Sequence, residues 1–95
     1  MWEELLIESG LNEREVRSIM ILGSNPKMKA SELAKELNTT RLDAYNSLSR
    51  LQEMGIVTVT ADRPMLFSSL DVHQSIEHII GVRKQQLGQL MEGYE

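Results

Sequence analysis

Ninety-five residues with 41% hydrophobic content fit one domain, large enough for a modest core but not for a core plus a separate catalytic lobe. There is no cysteine, which excludes a disulfide framework and a thiolate metal site and fits a reducing, cytoplasmic setting. The formal charge of −4 counts against a polyanion binder, yet residues 24 to 63 hold six basic side chains against five acidic ones while the remainder holds four against nine, so acid is gathered toward the two ends and the middle can approach phosphate.

The longest apolar runs, such as Ile19 to Leu22, are four residues, far below the roughly 20 that span a bilayer. The start Met-Trp-Glu-Glu lacks a basic leader segment. A soluble chain with no membrane partner is expected.

In chain order, residues 2 to 9 place Trp2, Leu5, Leu6 and Ser9 on one helical face, and Gly10 follows where a left-handed C-cap belongs. Asn12 precedes Glu15 at capping-box spacing, and Val16, Ile19 and Met20 lead to Leu22, predicting a second helix over residues 13 to 22 that stops at Gly23. Gly-Ser-Asn-Pro is a turn, after which Met28 can add one short extended pairing. The stretch Ser31 to Leu37 buries Leu33, Ala34 and Leu37 and ends at Asn38. Thr40 then offers a hydroxyl N-cap with Asp43 as its partner, and Ala44, Leu48 and Leu51 mark the buried face of a helix running to Met54, closed by Gly55. Two helices this close form a helix-turn-helix candidate.

Beyond Gly55 the period changes. Residues 56 to 60 are β-branched throughout, Ala-Asp-Arg-Pro is a turn, and Met65 to Ser68 can return as a second strand, giving a hairpin or wing. Asp71 with Gln74 caps a last helix on which Ile76, Ile80, Arg83, Leu87, Leu90 and Tyr94 recur at heptad-like spacing. The fold class expected is mainly α with a small β-hairpin: a winged helix-turn-helix domain over residues 1 to 70 and a long C-terminal dimerisation helix over 71 to 95.

Several short motifs point the same way. They are Gly10-Leu11-Asn12 leading to Glu15, Ala30-Ser31-Glu32-Leu33-Ala34, Tyr45 with Leu48 and Leu51, Gly55-Ile56-Val57, and Arg63-Pro64 followed by Phe67. In this order they resemble the winged-helix DNA-binding domain of the TrmB-like archaeal transcriptional regulators, over nearly the whole chain. The resemblance implies a DNA-binding regulator. Full-length members commonly carry a sugar-sensing domain after the coiled helix; none of the quoted residues belongs to it, so no effector role is carried over.

If the helix from Arg41 to Met54 enters a major groove, the side opposite its core residues displays Leu42, Asn46, Ser49 and Arg50, with Thr40 and Arg41 at its first turn. Arginine and asparagine can pair with guanine and adenine edges, and leucine can meet a thymine methyl. Lys29 is a candidate phosphate holder. Arg63 at the wing tip could hold a flanking phosphate or a narrow minor groove, and is equally what an idle turn contains. Tyr45 borders the core, so a packed ring with its hydroxyl near the surface is preferred to a base contact.

His73 and His78 are five apart on the last helix, unlike a two-histidine metal site, and are expected to be solvated. Glu3, Glu4 and Glu8 have no histidine, cysteine or second acid placed to work with them, and there is no glycine-rich phosphate loop. No catalytic residue, metal or cofactor is expected.

The stripe of Ile76, Ile79, Ile80, Leu87, Leu90 and Met91 is too long for so small a domain to cover, which favours pairing with a second copy, with Ile76, Ile80, Leu87 and Leu90 at the seam. Gly81 and Gly88 lie seven residues apart, on a side where two backbones could approach. The reading is therefore a homodimeric, sequence-specific regulator of double-stranded DNA. Its rival is a winged-helix module for protein contact, motivated by the acidic charge.

Overall fold

The computed structural model describes residues 2–94, and the side chains of residues 3–93. Its elements are α1 (Trp2–Glu8), α2 (Glu13–Ser24), α3 (Ala30–Leu37), α4 (Arg41–Glu53), β1 (Val57–Val59), β2 (Phe67–Ser69) and α5 (Val72–Tyr94). The side chains of Trp2 and Tyr94, assigned from sequence to the apolar faces of the first and last helices, lie outside the described residues. This order is that of a winged helix-turn-helix, as expected.

Local side chains decide where the helices start. At α2, Asn12 Oδ1 accepts the Glu15 N–H and Glu15 Oε1 accepts the Asn12 N–H, both at 2.8 Å. At α5, Asp71 Oδ1 accepts the Gln74 N–H at 2.7 Å and Gln74 Oε1 accepts the Asp71 N–H at 3.2 Å. At α4, Thr40 Oγ1 accepts the Asp43 N–H at 3.1 Å, but the expected return bond is not made. The Asp43 carboxylate instead accepts from the Thr39 hydroxyl at 3.2 Å and faces Arg14 at 3.8 Å.

The ends differ more from the sequence reading. Helix α2 runs through Gly23 to Ser24, and Asn25 stops it, its N–H donating to Leu22 O and its side-chain amide to Ile21 O. An interior glycine costs only about 1 kcal/mol against alanine, less than is gained by keeping the completely buried Leu22 in the core. Asn38 ends α3 in the left-handed region at φ 55°.

The core is built from Leu6 of α1, Val16, Ile19 and Leu22 of α2, Leu33 and Leu37 of α3, Ala44, Leu48 and Leu51 of α4, and Ile56, Val57 and Phe67 of the wing. The wing strands pair antiparallel in the register Val57↔Ser69, Thr58↔Ser68 and Val59↔Phe67. They are shorter than expected. The Ile56 N–H is used to close α4 on Leu51 O, and Thr60 Oγ1 accepts the Leu66 N–H, so the hairpin narrows into a side-chain-stitched loop. The extended pairing of Met28 is present, with Met28 N–H to Phe67 O at 3.0 Å and Phe67 N–H to Met28 O at 2.8 Å.

Helix α5 has two halves. Ser75 and Ile79 are buried, with Val72 and Ile76 packed against the core, whereas every described residue from Ile80 to Gly93 is exposed. The outer half is an arm, reflected in principal extents of 49 × 32 × 21 Å. Among the described residues no helix is long and apolar enough to cross a membrane.

Candidate nucleic-acid interface

Helix α4 turns about 100° per residue, which divides it into four strips. Ala44, Ser47, Leu48 and Leu51 face the core. The opposite strip carries Leu42, Asn46 and Ser49; Leu42 is 68% exposed and Asn46 is exposed, while Ser49 is half-buried. Leu42 has no partner in the core and is the most exposed large apolar side chain of the motif helices.

The two flanks are put to different uses. Toward α3 and the wing, Arg41 and Tyr45 join Lys29, Ser31, Arg63, Pro64, Met65 and Phe67 around a cleft of about 310 Å³. Lys29, Arg41 and Arg63, which come from three separate elements, are thereby gathered on one opening beside the N-termini of α3 and α4, where unpaired N–H groups add positive potential. The Tyr45 ring stands edge-on to Phe67, centroids 6.4 Å apart and planes at 85°, which leaves it partly packed and 43% exposed. The Thr40 hydroxyl is occupied as the α4 N-cap.

Toward α2, the flank is closed by charge. Asp43 and Arg50, seven residues apart and so on one side of the helix, face Arg14 and Glu15 respectively. Arg50 donates from Nη1 to Glu15 Oε1 at 3.1 Å and from Nη2 to Gly10 O at 2.7 Å. Arg50, expected beside Leu42 and Asn46, is half exposed and its guanidinium bonds back to the body. Its partners lie 35 and 40 residues away, beyond the reach of helical periodicity.

The model of the family described as sugar-specific transcriptional regulator TrmB matches residues 5–73. The chain belongs to the TrmB family. No curated protein matches its sequence. Among solved structures it is similar to TrmBL2, described as an archaeal chromatin protein with a novel mode of DNA binding, at 20% identity and a TM-score of 0.83, over 97% of this chain and 36% of that one. The transcriptional regulator Tm0710 of Thermotoga maritima superposes with a TM-score of 0.69 at 17% identity, covering 99% of this chain and 69% of its own. ZitR of Lactococcus lactis, solved in complex with DNA, gives 0.61 at 15% identity over 86% of this chain and 59% of that one. The chain thus spans little more than a third of TrmBL2, and these likenesses establish the winged-helix fold.

In this TrmB-family chain two residues have roles that their sequence neighbourhood does not announce. His78, expected to be solvated, is half-buried and its Nε2 lies 2.9 Å from Met54 O, so the imidazole donates to the last turn of α4. His73 is the exposed one, paired with Glu77 Oε1 at 2.8 Å. Gly55 sits beneath the His78 ring at φ 80°, and a Cβ there would meet Nε2 at 2.7 Å. The glycine carries the signal: a helix-closing glycine before a strand announces a left-handed turn, but not the ring stacked over it.

The apolar residues assigned to a dimer seam divide in two. Ile76 packs against the core, whereas Ile80, Leu87 and Leu90 are exposed, the last two at 61% and 69%. Leu87 and Leu90 line a groove of about 470 Å³ with Met54, His78, Ile79 and Val82, and Ile80 lines a second of about 260 Å³ with Leu5 and Leu6.

Proposed function

We propose that this chain is a sequence-specific double-stranded DNA-binding module that acts as a homodimer to regulate transcription. The convergence of Lys29, Arg41 and Arg63 on one cleft beside the exposed strip of α4 carries the proposal. Three cations from three elements at the mouth of a helix-turn-helix form a phosphate-gripping arrangement, and the strip next to them presents the polar and apolar side chains that read base edges. Leu42 meets a thymine methyl, Asn46 an adenine edge, and Ser49 either, while Arg41 reaches from the first turn. Arg50 is left out of the reading set because its guanidinium is committed to Glu15 and Gly10.

Residues 71 to 95 serve as the dimerisation helix through Ile80, Leu87 and Leu90, with Ile76 contributing to the domain core instead. A two-fold dimer implies a pseudo-palindromic site with half-sites about 34 to 36 Å apart, or a multiple of that. Fluorescence anisotropy with random and selected duplexes tests the reading. The expected result is salt-sensitive binding to any duplex and much tighter binding to a selected palindrome. Failure to bind any duplex at low salt, where phosphate attraction is strongest, sinks it and leaves the protein-contact module in its place.

A further inference from the structure

The turn between α1 and α2 is gripped by two arginines that come from different helices. Its successive carbonyls, Ser9 O and Gly10 O, each accept a guanidinium hydrogen bond: Arg83 Nη2 of α5 donates to Ser9 at 3.0 Å, and Arg50 Nη2 of α4 donates to Gly10 at 2.7 Å. The turn itself has a defined shape, since Gly10 is held at φ 103°. Arg50 is further anchored by Glu15, a completely buried carboxylate whose Oε1 also accepts the Asn12 N–H and whose Oε2 has no hydrogen-bond partner among the described residues. If Arg50 swung out toward solvent, that charge would be stranded. A guanidinium so held is poorly placed to read a base and well placed to fix a helix.

The end of α4 and helix α5 are also joined by the His78 bond to Met54 O. Core packing of Ser75, Ile76 and Ile79 fixes only the base of α5; the Arg83 bond to the Ser9–Gly10 turn adds a hold one turn further out, where the helix buries no side chain. The leverage is large. From Ile79, its last buried residue, to Tyr94, α5 extends roughly 22 Å at about 1.5 Å per residue, so a swing of about 10° moves its end by about 4 Å. That exceeds the rise of one base pair, about 3.4 Å.

We propose that Arg50 and Arg83 are positioning residues that tether the DNA-facing helix and the C-terminal helix to the Ser9–Gly10 turn, and so set the half-site spacing that the dimer accepts. The spacing part rests on the DNA-binding dimer proposed above; the tether does not.

The absence of native cysteine allows Gln52→Cys on α4 and Gln89→Cys on α5 to carry a clean spin-label pair, diluted with unlabelled protein so that only distances within one chain are read. The parent gives a narrow distance distribution. Arg83→Gln broadens it, Arg50→Gln broadens it, and the double variant is no broader than the worse single one, while the charge-matched Lys84→Gln stays narrow. Against duplexes whose half-sites are moved apart one base pair at a time, the parent prefers one spacing, and Arg83→Gln flattens that preference by about fivefold or more with single half-site affinity unchanged. An unshifted, narrow distribution in Arg83→Gln overturns the tether. Retention of the parent's spacing preference in that variant overturns the assignment of spacing to it. Should the parent bind no duplex, the DNA reading falls and the label distances still decide the tether. Arg83 bonds at the exposed surface, so its variant folds even if Arg50→Gln does not.

Discussion

Removing the Arg50 guanidinium would leave Glu15, fully buried and with one carboxylate oxygen unbonded, facing only the Asn12 amide. Because the Arg50 side is half exposed and water can enter, Arg50→Ala should cost about 2 kcal/mol, the scale of a stranded charged group, measured as a lower urea midpoint at unchanged slope. Asp43→Ala, which breaks the looser pair with Arg14 and leaves Thr40 as the helix cap, should cost less than about 1 kcal/mol. For recognition, Asn46→Ala should relax sequence preference by about 1 to 3 kcal/mol, whereas Lys29→Ala and Arg63→Ala should weaken all duplexes alike and each flatten the salt slope by about one unit. The members of the basic cleft could be named one by one from the sequence, since Lys29, Arg41 and Arg63 occupy the entrance of the first helix, the first turn of the second and the wing tip, but their gathering on one opening could not. The commitment of Arg50 could not, since it depends on a carboxylate brought close only by tertiary packing.

At the scale of elements, the junction between α4 and the wing is closely packed, with the His78 ring over Gly55. Gly55→Ala places a methyl 2.7 Å from the His78 imidazole while also forcing an L-residue to φ 80°. The two penalties together should lower stability by about 2 to 3 kcal/mol, and adding His78→Ala should recover only the steric part, leaving the backbone part in chemical denaturation. Helix starts were legible because a cap is a conversation across three residues: Asn12 with Glu15 and Asp71 with Gln74 are local and the chain spells them out. Helix ends and strand lengths were less so. Whether α2 stops at Gly23 depends on what Leu22 packs against, and the wing was foreshortened by bonds from Leu51 and Thr60 that a β-branched run does not encode.

Across the whole molecule, the periodic stripe of α5 was visible in the sequence but its division was not. The first half of the stripe is consumed by the domain's own core through Ile79 and Ile76, and only the outer residues remain for a second copy. Leu87→Asp with Leu90→Asp should therefore yield a well-folded monomer in analytical ultracentrifugation without loss of the domain's cooperative unfolding, because neither residue contributes to that core. A native chain that sediments as a monomer at concentrations of about 1 μM to 1 mM would end the dimer assignment. The exposed outer half of α5 has one more consequence, which concerns mass action. Residues 80 to 93 bury no side chain within one chain and include Gly81, Gly88 and Gly93, each less favourable in a helix than alanine by about 1 kcal/mol, and a lone segment shorter than about 15 residues is marginally helical in water. The Arg83 bond to Ser9 O holds the first turn of this segment; in the proposed dimer, association reinforces the helicity beyond it, so ellipticity at 222 nm should fall on dilution while the winged-helix body remains folded, the far end of the arm firming as two chains meet.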